Sequence, residues 1–418
     1  MMPKSKTKKR ILYVEQSRVG TTGGSHTCLL DMIRRLDRQE YTLVVMFYEE
    51  NVLLEEFRKA ADRVVVYKRP TMLDIGRRYP ILVSPSMRLP YGVLLAFQKT
   101  YNFALIFYLF LSFLVFLRRE KIDLVHLNNA FYIGYDWLLA SKFCAVKCIT
   151  HQRGLQEAPR SGKILVKLYD SVVCVSEHIR QALKKNHLPV DKKAHVIYDG
   201  LDIGAFRAGL RRDPSLVREE LGFGQGEPLI GVVGNIKRWK GQEVAIEAVS
   251  LLKAKFGRIR CLLIGDAAED SRYYQSLQDS VVSKGLSENV IFIGFRKEVR
   301  DLIRAVDILV LPSIKPEPFG RVVLEGMALG RPVIATDMGG PREIIEDNIS
   351  GFLVRPEDPV ALAEKIAYLL DRPELRRQVG RAAEKRVESA FALEDTVANT
   401  ELLYATILTN GVNGSGKD

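Results

Sequence analysis

The sequence predicts an α/β protein built from two doubly wound parallel-sheet domains, and three observations predict it. From Ile11 onward, short apolar runs alternate with helical stretches, the pattern of parallel strands covered on both faces. The alternation stops in a polar stretch, Asp202 to Glu227, and restarts at Pro228. A length of 418 residues accommodates two or three domains, each with its own core.

In the first half, strands are expected at 11–14, 42–48, 63–67, 122–127, 146–150, 172–175 and 195–198. The second half repeats the pattern at 228–234, 261–265, 290–294, 307–311 and 332–335. Helical periodicity places Val244, Ala248, Leu251 and Leu252 on one buried face, and Leu362, Ile366, Leu369 and Leu370 on another. A last helix is expected over about 393–408, and the Gly-, Asn- and Ser-rich tail from Asn410 reads as disordered. Two such domains facing each other form a cleft between the carboxyl ends of their strands, where open α/β sheets bind ligands.

Composition narrows the chemistry. Hydrophobic residues at 47% and charged residues at 27% are those of a soluble globular protein. Five cysteines, odd in number and set in apolar segments, read as reduced core thiols of a cytoplasmic protein. There is no His-Glu-x-x-His, no Asp-x-Asp and no paired Cys or His cluster, so no dedicated metal site and no cofactor are expected. The basic opening leads only into a short apolar strand, too short for a signal-peptide core. A net charge of +12 and a pI near 9.3 point to an anionic partner. The positive charge is scattered and no nucleic-acid module is recognisable, which disfavours nucleic acid.

Two glutamates carry the most information. Glu317 and Glu325 stand in Pro-Glu-Pro-Phe-Gly-Arg-Val-Val-Leu-Glu-Gly, residues 316 to 326. Glu317 follows a buried strand ended by Pro312, in a loop stiffened by two prolines. Glu325 lies in an apolar helix, where a carboxylate must be paired or given donors. The run continues through Met-Ala-Leu-Gly-Arg-Pro-Val-Ile-Ala-Thr to residue 336, then Gly339-Gly340 and Gly351-Phe352-Leu353-Val354.

That string resembles the retaining glycosyltransferases of family 4, which have the two-domain GT-B architecture. The resemblance implies an acceptor-binding domain over 1–200 and a nucleotide-sugar domain over 201–390. It also implies that the helix in 391–418 returns to the first domain. By resemblance, Glu317 with the amides near Phe319 and Gly320 holds the sugar, and Glu325 holds the nucleotide ribose.

The loop Asn235-Ile236-Lys237-Arg238-Trp239-Lys240-Gly241 joins a strand to a helix N-terminus, and such a junction collects amides, dipole and cations for an anion. The resemblance makes Lys240 the diphosphate lysine. Many family members carry an arginine where this chain has Asn235, so either Arg238 or Lys237 must supply the second charge. In the first half, Gly23 and Gly24 close a loop that reads as a plain turn from its residues alone. The resemblance makes it a contact for the donor phosphate. A histidine at a strand end is ordinarily structural, which is the reading for His126; the resemblance gives His151 a catalytic role against the transferred sugar or its leaving group.

The segment 101–121 stands apart. Fifteen residues, Phe103 to Leu117, hold one serine and no charge, with Lys99, Arg118, Arg119 and Lys121 at the ends. A membrane span is disfavoured by its length and by the strand that starts at Ile122. Burial in the protein and docking into a leaflet both satisfy such a helix. The flanking cations favour an anionic leaflet.

The expectation is a cytoplasmic hexosyltransferase, peripheral on the inner face of the cell membrane. It would move a sugar from a nucleotide donor to a glycan or lipid-linked acceptor. Alternatives are an epimerase or phosphorylase on the same architecture, or an inactive membrane-associated interaction protein.

Overall fold

The structure, a computed structural model, describes residues 7–16, 24–70, 72–73, 91–129, 133–154, 162–224, 226–268 and 270–409. Two parallel sheets organise it. The chain divides into two units. One holds the residues to Cys174, Arg180–Val196 and the chain from Asn399; the other holds Val175–Ile179 and Ile197–Ala398.

In the first unit, seven strands take the order β3-β2-β1-β4-β5-β6-β7. They are β1 (Lys9–Glu15), β2 (Tyr41–Phe47), β3 (Arg63–Val66), β4 (Leu124–Leu127), β5 (Lys147–Gln152), β6 (Ser171–Cys174) and β7 (Ala194–Val196). The apolar runs of β1, β2, β4, β5 and β6 are buried on both faces, as a helix-covered parallel sheet requires, while the edge strand β3 is only half-buried. Strand order reverses between β1 and β4, which makes their carboxyl ends the ligand-binding edge of this sheet. The last helix, Leu393–Thr409, gives this unit the buried Tyr404, whose hydroxyl meets that of Tyr13 at 2.6 Å.

The apolar helix runs over Tyr91–Arg119 and starts twelve residues before the charge-free stretch that begins at Phe103. It is neither wholly buried nor wholly free. Phe113 stacks on Trp137 at 3.9 Å and Phe116 meets the same ring edge-on, while Phe103 and Phe107 lie exposed. Lys121, at φ +49, turns the chain out of the helix into β4.

In the second unit, six strands take the order β10-β9-β8-β11-β12-β13. They are β8 (Leu229–Val233), β9 (Arg260–Ile264), β10 (Val290–Gly294), β11 (Ile308–Leu311), β12 (Val333–Thr336) and β13 (Phe352–Val354). The order reverses between β8 and β11. Twelve of the strands across both units are the expected ones, with ends shifted by a residue or two; β13 was not expected as a strand.

Leu251 is 52% exposed, because the buried face of the helix Gln242–Lys253 is Ala245, Ala248, Val249 and Leu252, one position round from the predicted stripe. The polar stretch 202–227 is folded onto the second unit. Asp202 and Asp213 cap its two short helices. Arg207 donates to the Ala328 carbonyl, and Arg218 donates to the Ala305 carbonyl and to Asp307. Its charge serves packing. The tail from Asn410 lies outside the described residues.

Candidate active site

At the switch point of the second sheet, β8 runs into Gly234 and Asn235, then a 3-10 turn at Arg238–Lys240, then Gly241 and the helix Gln242–Lys253. Gly241 sits at φ +70, and a Cβ there would lie 2.0 Å from the Pro312 carbonyl oxygen. Only glycine lets this turn pack so closely on the end of β11. The packing brings Lys240 to the loop after β11. Its Nζ lies 2.7 Å from Glu317 Oε1, and Ser313 Oγ donates to the same oxygen at 2.6 Å.

Glu317 is 5% exposed, so its position between two prolines does not put it in open solvent. Its backbone is pinned as well: Gly340 N donates to the Glu317 carbonyl at 2.9 Å. A Cβ on Gly339, at φ +66, would come within 2.2 Å of that carbonyl. Phe319 is buried against Tyr198, their rings stacked at 5.7 Å, and the Ser176 hydroxyl donates to the Pro318 carbonyl. Gly320, at φ +105, is the N-cap of the helix Arg321–Ala328. Both this helix and Gln242–Lys253 have a glycine N-cap, which offers no side-chain acceptor, and the Tyr273 hydroxyl accepts from Glu243 N at 3.2 Å in the second. Two helix N-termini thus accompany a carboxylate already matched by a lysine, and their positive ends suit an anion.

The other predicted donor residues are more dispersed. Glu325 pairs with Arg321 at 3.2 Å, one turn along the helix, which answers the need of a half-buried carboxylate for a partner. The Asn235 carbonyl accepts from Gln242 Nε2 at 3.0 Å. Arg238 is exposed, with its guanidinium 5.1 Å from the centre of the Tyr273 ring. Its recorded partner is therefore that aromatic face, and the Lys240–Glu317 pair forms without it. Gly23 lies outside the described residues, and Gly24 opens the helix Gly24–Arg35.

His151 belongs to the first unit, in β5, and is 1% exposed. Its ring stacks on His126 at 5.5 Å. Burial pushes both imidazoles toward the neutral form, His126 down to about 3 and His151 well below its ordinary value; the nearby Arg153 charge adds to the effect on both. His126 Nδ1 lies 2.6 Å from the Tyr404 hydroxyl, in keeping with a structural role. The Nε2 atom of each ring is buried without a hydrogen-bond partner among the described residues.

Sequence reasoning missed the group around His151. Arg153 Nη2 lies 3.3 Å from His151 Nδ1, and Arg153 Nε donates to Asn128 Oδ1 at 3.0 Å. Asn128 Nδ2 in turn donates to Glu15 Oε2 at 2.5 Å. These residues come from the ends of β5, β4 and β1, and only the sheet order joins them. Ser313 was missed too, although its place directly after a strand and four residues before Glu317 was a usable signal.

Comparison with known proteins agrees with both units. Residues 22–204 match the family described as Glycosyltransferase Family 4, and residues 215–386 match Glycosyl transferases group 1. A putative glycosyltransferase, EpsD of Bacillus subtilis, is 36% identical over 194 residues, which span 46% of this chain and 49% of that protein. The N-acetyl-alpha-D-glucosaminyl L-malate synthase of Bacillus anthracis is 26% identical over 71% of this chain and 78% of its own. Among solved structures, a glycosyltransferase from Rickettsia africae superposes with a TM-score of 0.80 at 25% identity, covering 97% of this chain and all of that one. Anabaena Alr3699/HepE, solved with UDP and glucose, gives a TM-score of 0.75 at 22% identity over 95% of this chain and all of its own.

Proposed function

The chain belongs to the family 4 glycosyltransferases, and we propose that it is a retaining enzyme moving a sugar from a nucleoside diphosphate to a lipid-linked or glycan acceptor at the inner face of the cell membrane. The observation that carries the donor assignment is the Lys240–Glu317 pair beside two helix N-termini capped by glycine. A nucleoside diphosphate leaves as a weakly basic anion, so the transition state needs fixed positive charge more than a strong acid. Lys240 and the helix amides supply that charge. Glu317 then turns from its lysine to the sugar hydroxyls, and Glu325 takes the ribose. Retention follows if the acceptor oxygen attacks C1 on the face the diphosphate leaves. The C1–O bond to phosphate breaks as the new C1–O bond forms, and the acceptor proton passes to the departing phosphate oxygen.

Lys240→Ala should weaken binding of the free nucleoside diphosphate by about 1.5–3 kcal/mol, the contribution of a charged hydrogen bond. Calorimetry measures this directly, and unchanged affinity would place the donor elsewhere. UDP-, GDP- and ADP-sugars should be screened first by thermal shift. A ligand at a hundred times its Kd adds about 2.7 kcal/mol, and UDP is the natural starting point given its presence in a structural relative.

The membrane assignment rests on the helix Tyr91–Arg119. Phe103, Phe107, Leu111 and Val115 form an exposed stripe at 73%, 55%, 43% and 61%. Exposed Leu139 and Phe143 of the helix Tyr135–Phe143 extend the apolar surface, with the Phe143 ring against Phe110. Lys99, Arg118, Arg119 and Lys121 stand on this helix and directly after it. Aromatic side chains with cations near them are what an anionic leaflet recognises, each cation adding about 1 kcal/mol at its surface. Docking there would bring a lipid-held acceptor to the enzyme while the soluble donor exchanges freely.

Phe103→Ser with Phe107→Ser should abolish co-sedimentation with anionic vesicles at low salt while leaving circular dichroism and thermal stability unchanged, since neither ring is core. Parent protein that ignores such vesicles would end the membrane assignment.

A further inference from the structure

We infer that Arg153, braced by Asn128 and Glu15, is a positioning residue that holds His151 in the tautomer with its proton on Nε2, so that His151 meets the substrate as a neutral hydrogen-bond donor. This rests on reading His151 as a site residue. A guanidinium has N–H donors and no acceptor, so the contact of Arg153 Nη2 with His151 Nδ1 at 3.3 Å requires a lone pair on Nδ1. A neutral imidazole with Nδ1 bare carries its proton on Nε2.

The remaining contacts leave no freedom in direction. Arg153 Nε can only donate, so Asn128 must present Oδ1 to it, at 3.0 Å. The amide nitrogen of Asn128 then faces Glu15, whose carboxylate can only accept, at 2.5 Å. Asn129 Nδ2 donates to the other Glu15 oxygen. Glu15 is fully buried and supplies the negative charge that balances the guanidinium. The Arg153 cation beside His151 and the burial of the ring both oppose a second proton there.

The chemical consequence is specific. His151 Nε2–H is buried with no partner among the described residues, a costly state unless a ligand oxygen accepts from it. A sugar hydroxyl or a phosphate oxygen gaining charge fits that donor. The same tautomer has no lone pair on Nε2, so His151 cannot be the base that takes the acceptor proton. The neighbouring His126 provides an internal contrast. Its Nδ1 meets the Tyr404 hydroxyl, where either atom can donate, so nothing fixes its tautomer.

The test is a long-range 1H–15N correlation on the full-length protein labelled at histidine nitrogens, at neutral pH and without ligand, with the His151 signals assigned by their loss in His151→Gln. The expected spectrum shows Nδ1 at the far-downfield position of a bare ring nitrogen and Nε2 at the position of an N–H. A protonated Nδ1 in the parent protein overturns the proposal, whether or not any variant folds. Arg153→Met should move both His151 signals toward a tautomer average and leave His126 in place, and Arg153→Lys should restore part of the shift; unmoved His151 signals in Arg153→Met also overturn it. With the nucleotide sugar identified by thermal shift, Arg153→Met should lower kcat by roughly 10–100-fold, the scale seen when a group that orients a metal-bound histidine is removed. If the tautomer is as stated but His151→Gln transfers sugar at the parent rate, the reading of His151 as a site residue fails and the tautomer assignment stands alone.

Discussion

Glu317→Gln should lower turnover by about 10²-fold or more, the scale of one lost transition-state electrostatic contact. The substitution keeps the side-chain shape and can still accept from the Ser313 hydroxyl, now 2.6 Å from the carboxylate, so what it removes is charge. That charge has two uses. In the free protein it matches Lys240 at 2.7 Å, and in the proposed donor complex it would turn to sugar hydroxyls once the diphosphate takes the lysine. Removing it leaves a partly buried ammonium without its counter-ion, so the free variant should lose some stability. Nucleoside diphosphate should then bind Glu317→Gln more tightly than the parent, because it no longer competes with the carboxylate for Lys240. Tighter nucleotide binding with slower transfer is the expected pair of results. Activity within a few-fold of the parent would remove Glu317 from the mechanism, and weaker nucleotide binding would show that the Lys240 pair is not what the donor displaces.

Much of this was legible in the chain. Strands buried on both faces appear as unbroken Val, Ile and Leu runs, so β8, β9 and β11 could be read directly from 228–234, 261–265 and 307–311. β13 is three residues long and carries too short an apolar run to register. The Glu317 to Glu325 string was legible because its residues are contiguous, and its loop and helix keep them together. The ion pairs were not. Lys240 and Glu317 are separated by most of a β-α-β crossover series, and their contact depends on how Gly241 packs against Pro312. The Glu15, Asn128 and Arg153 chain was hidden for the same reason, since it exists only once β1, β4 and β5 lie side by side. The helix Gln242–Lys253 was placed correctly but read one position out, because Leu251 and Leu252 are equally apolar and periodicity could not choose between them.

Phe113→Ala should destabilise the first unit by about 3–5 kcal/mol, the range for an aromatic ring deleted from a core. The ring is 1% exposed, stacks on the fully buried Trp137 at 3.9 Å and meets Tyr67 edge-on at 5.5 Å. Urea unfolding followed by tryptophan fluorescence can isolate that unit, because the chain has two tryptophans and Trp137 is the one in it. In a Trp239→Phe background the emission reports this unit alone. Phe103→Ala, on the exposed stripe, should shift the same transition by no more than about 0.5 kcal/mol. The contrast matters because the sequence of this helix is apolar on every side and gives no way to tell which residues face the core. The structure divides it into two stripes of period four. Leu105, Leu109, Phe113 and Leu117 are buried, while Phe103, Phe107, Leu111 and Val115 are exposed. Large apolar residues are needed on the first stripe by packing alone. On the second, large exposed apolar residues mark an interaction surface, and the proposed docking into a leaflet would cover them. Equal losses of stability from Phe103→Ala and Phe113→Ala would mean that both stripes are core and that the helix has no face left for a membrane.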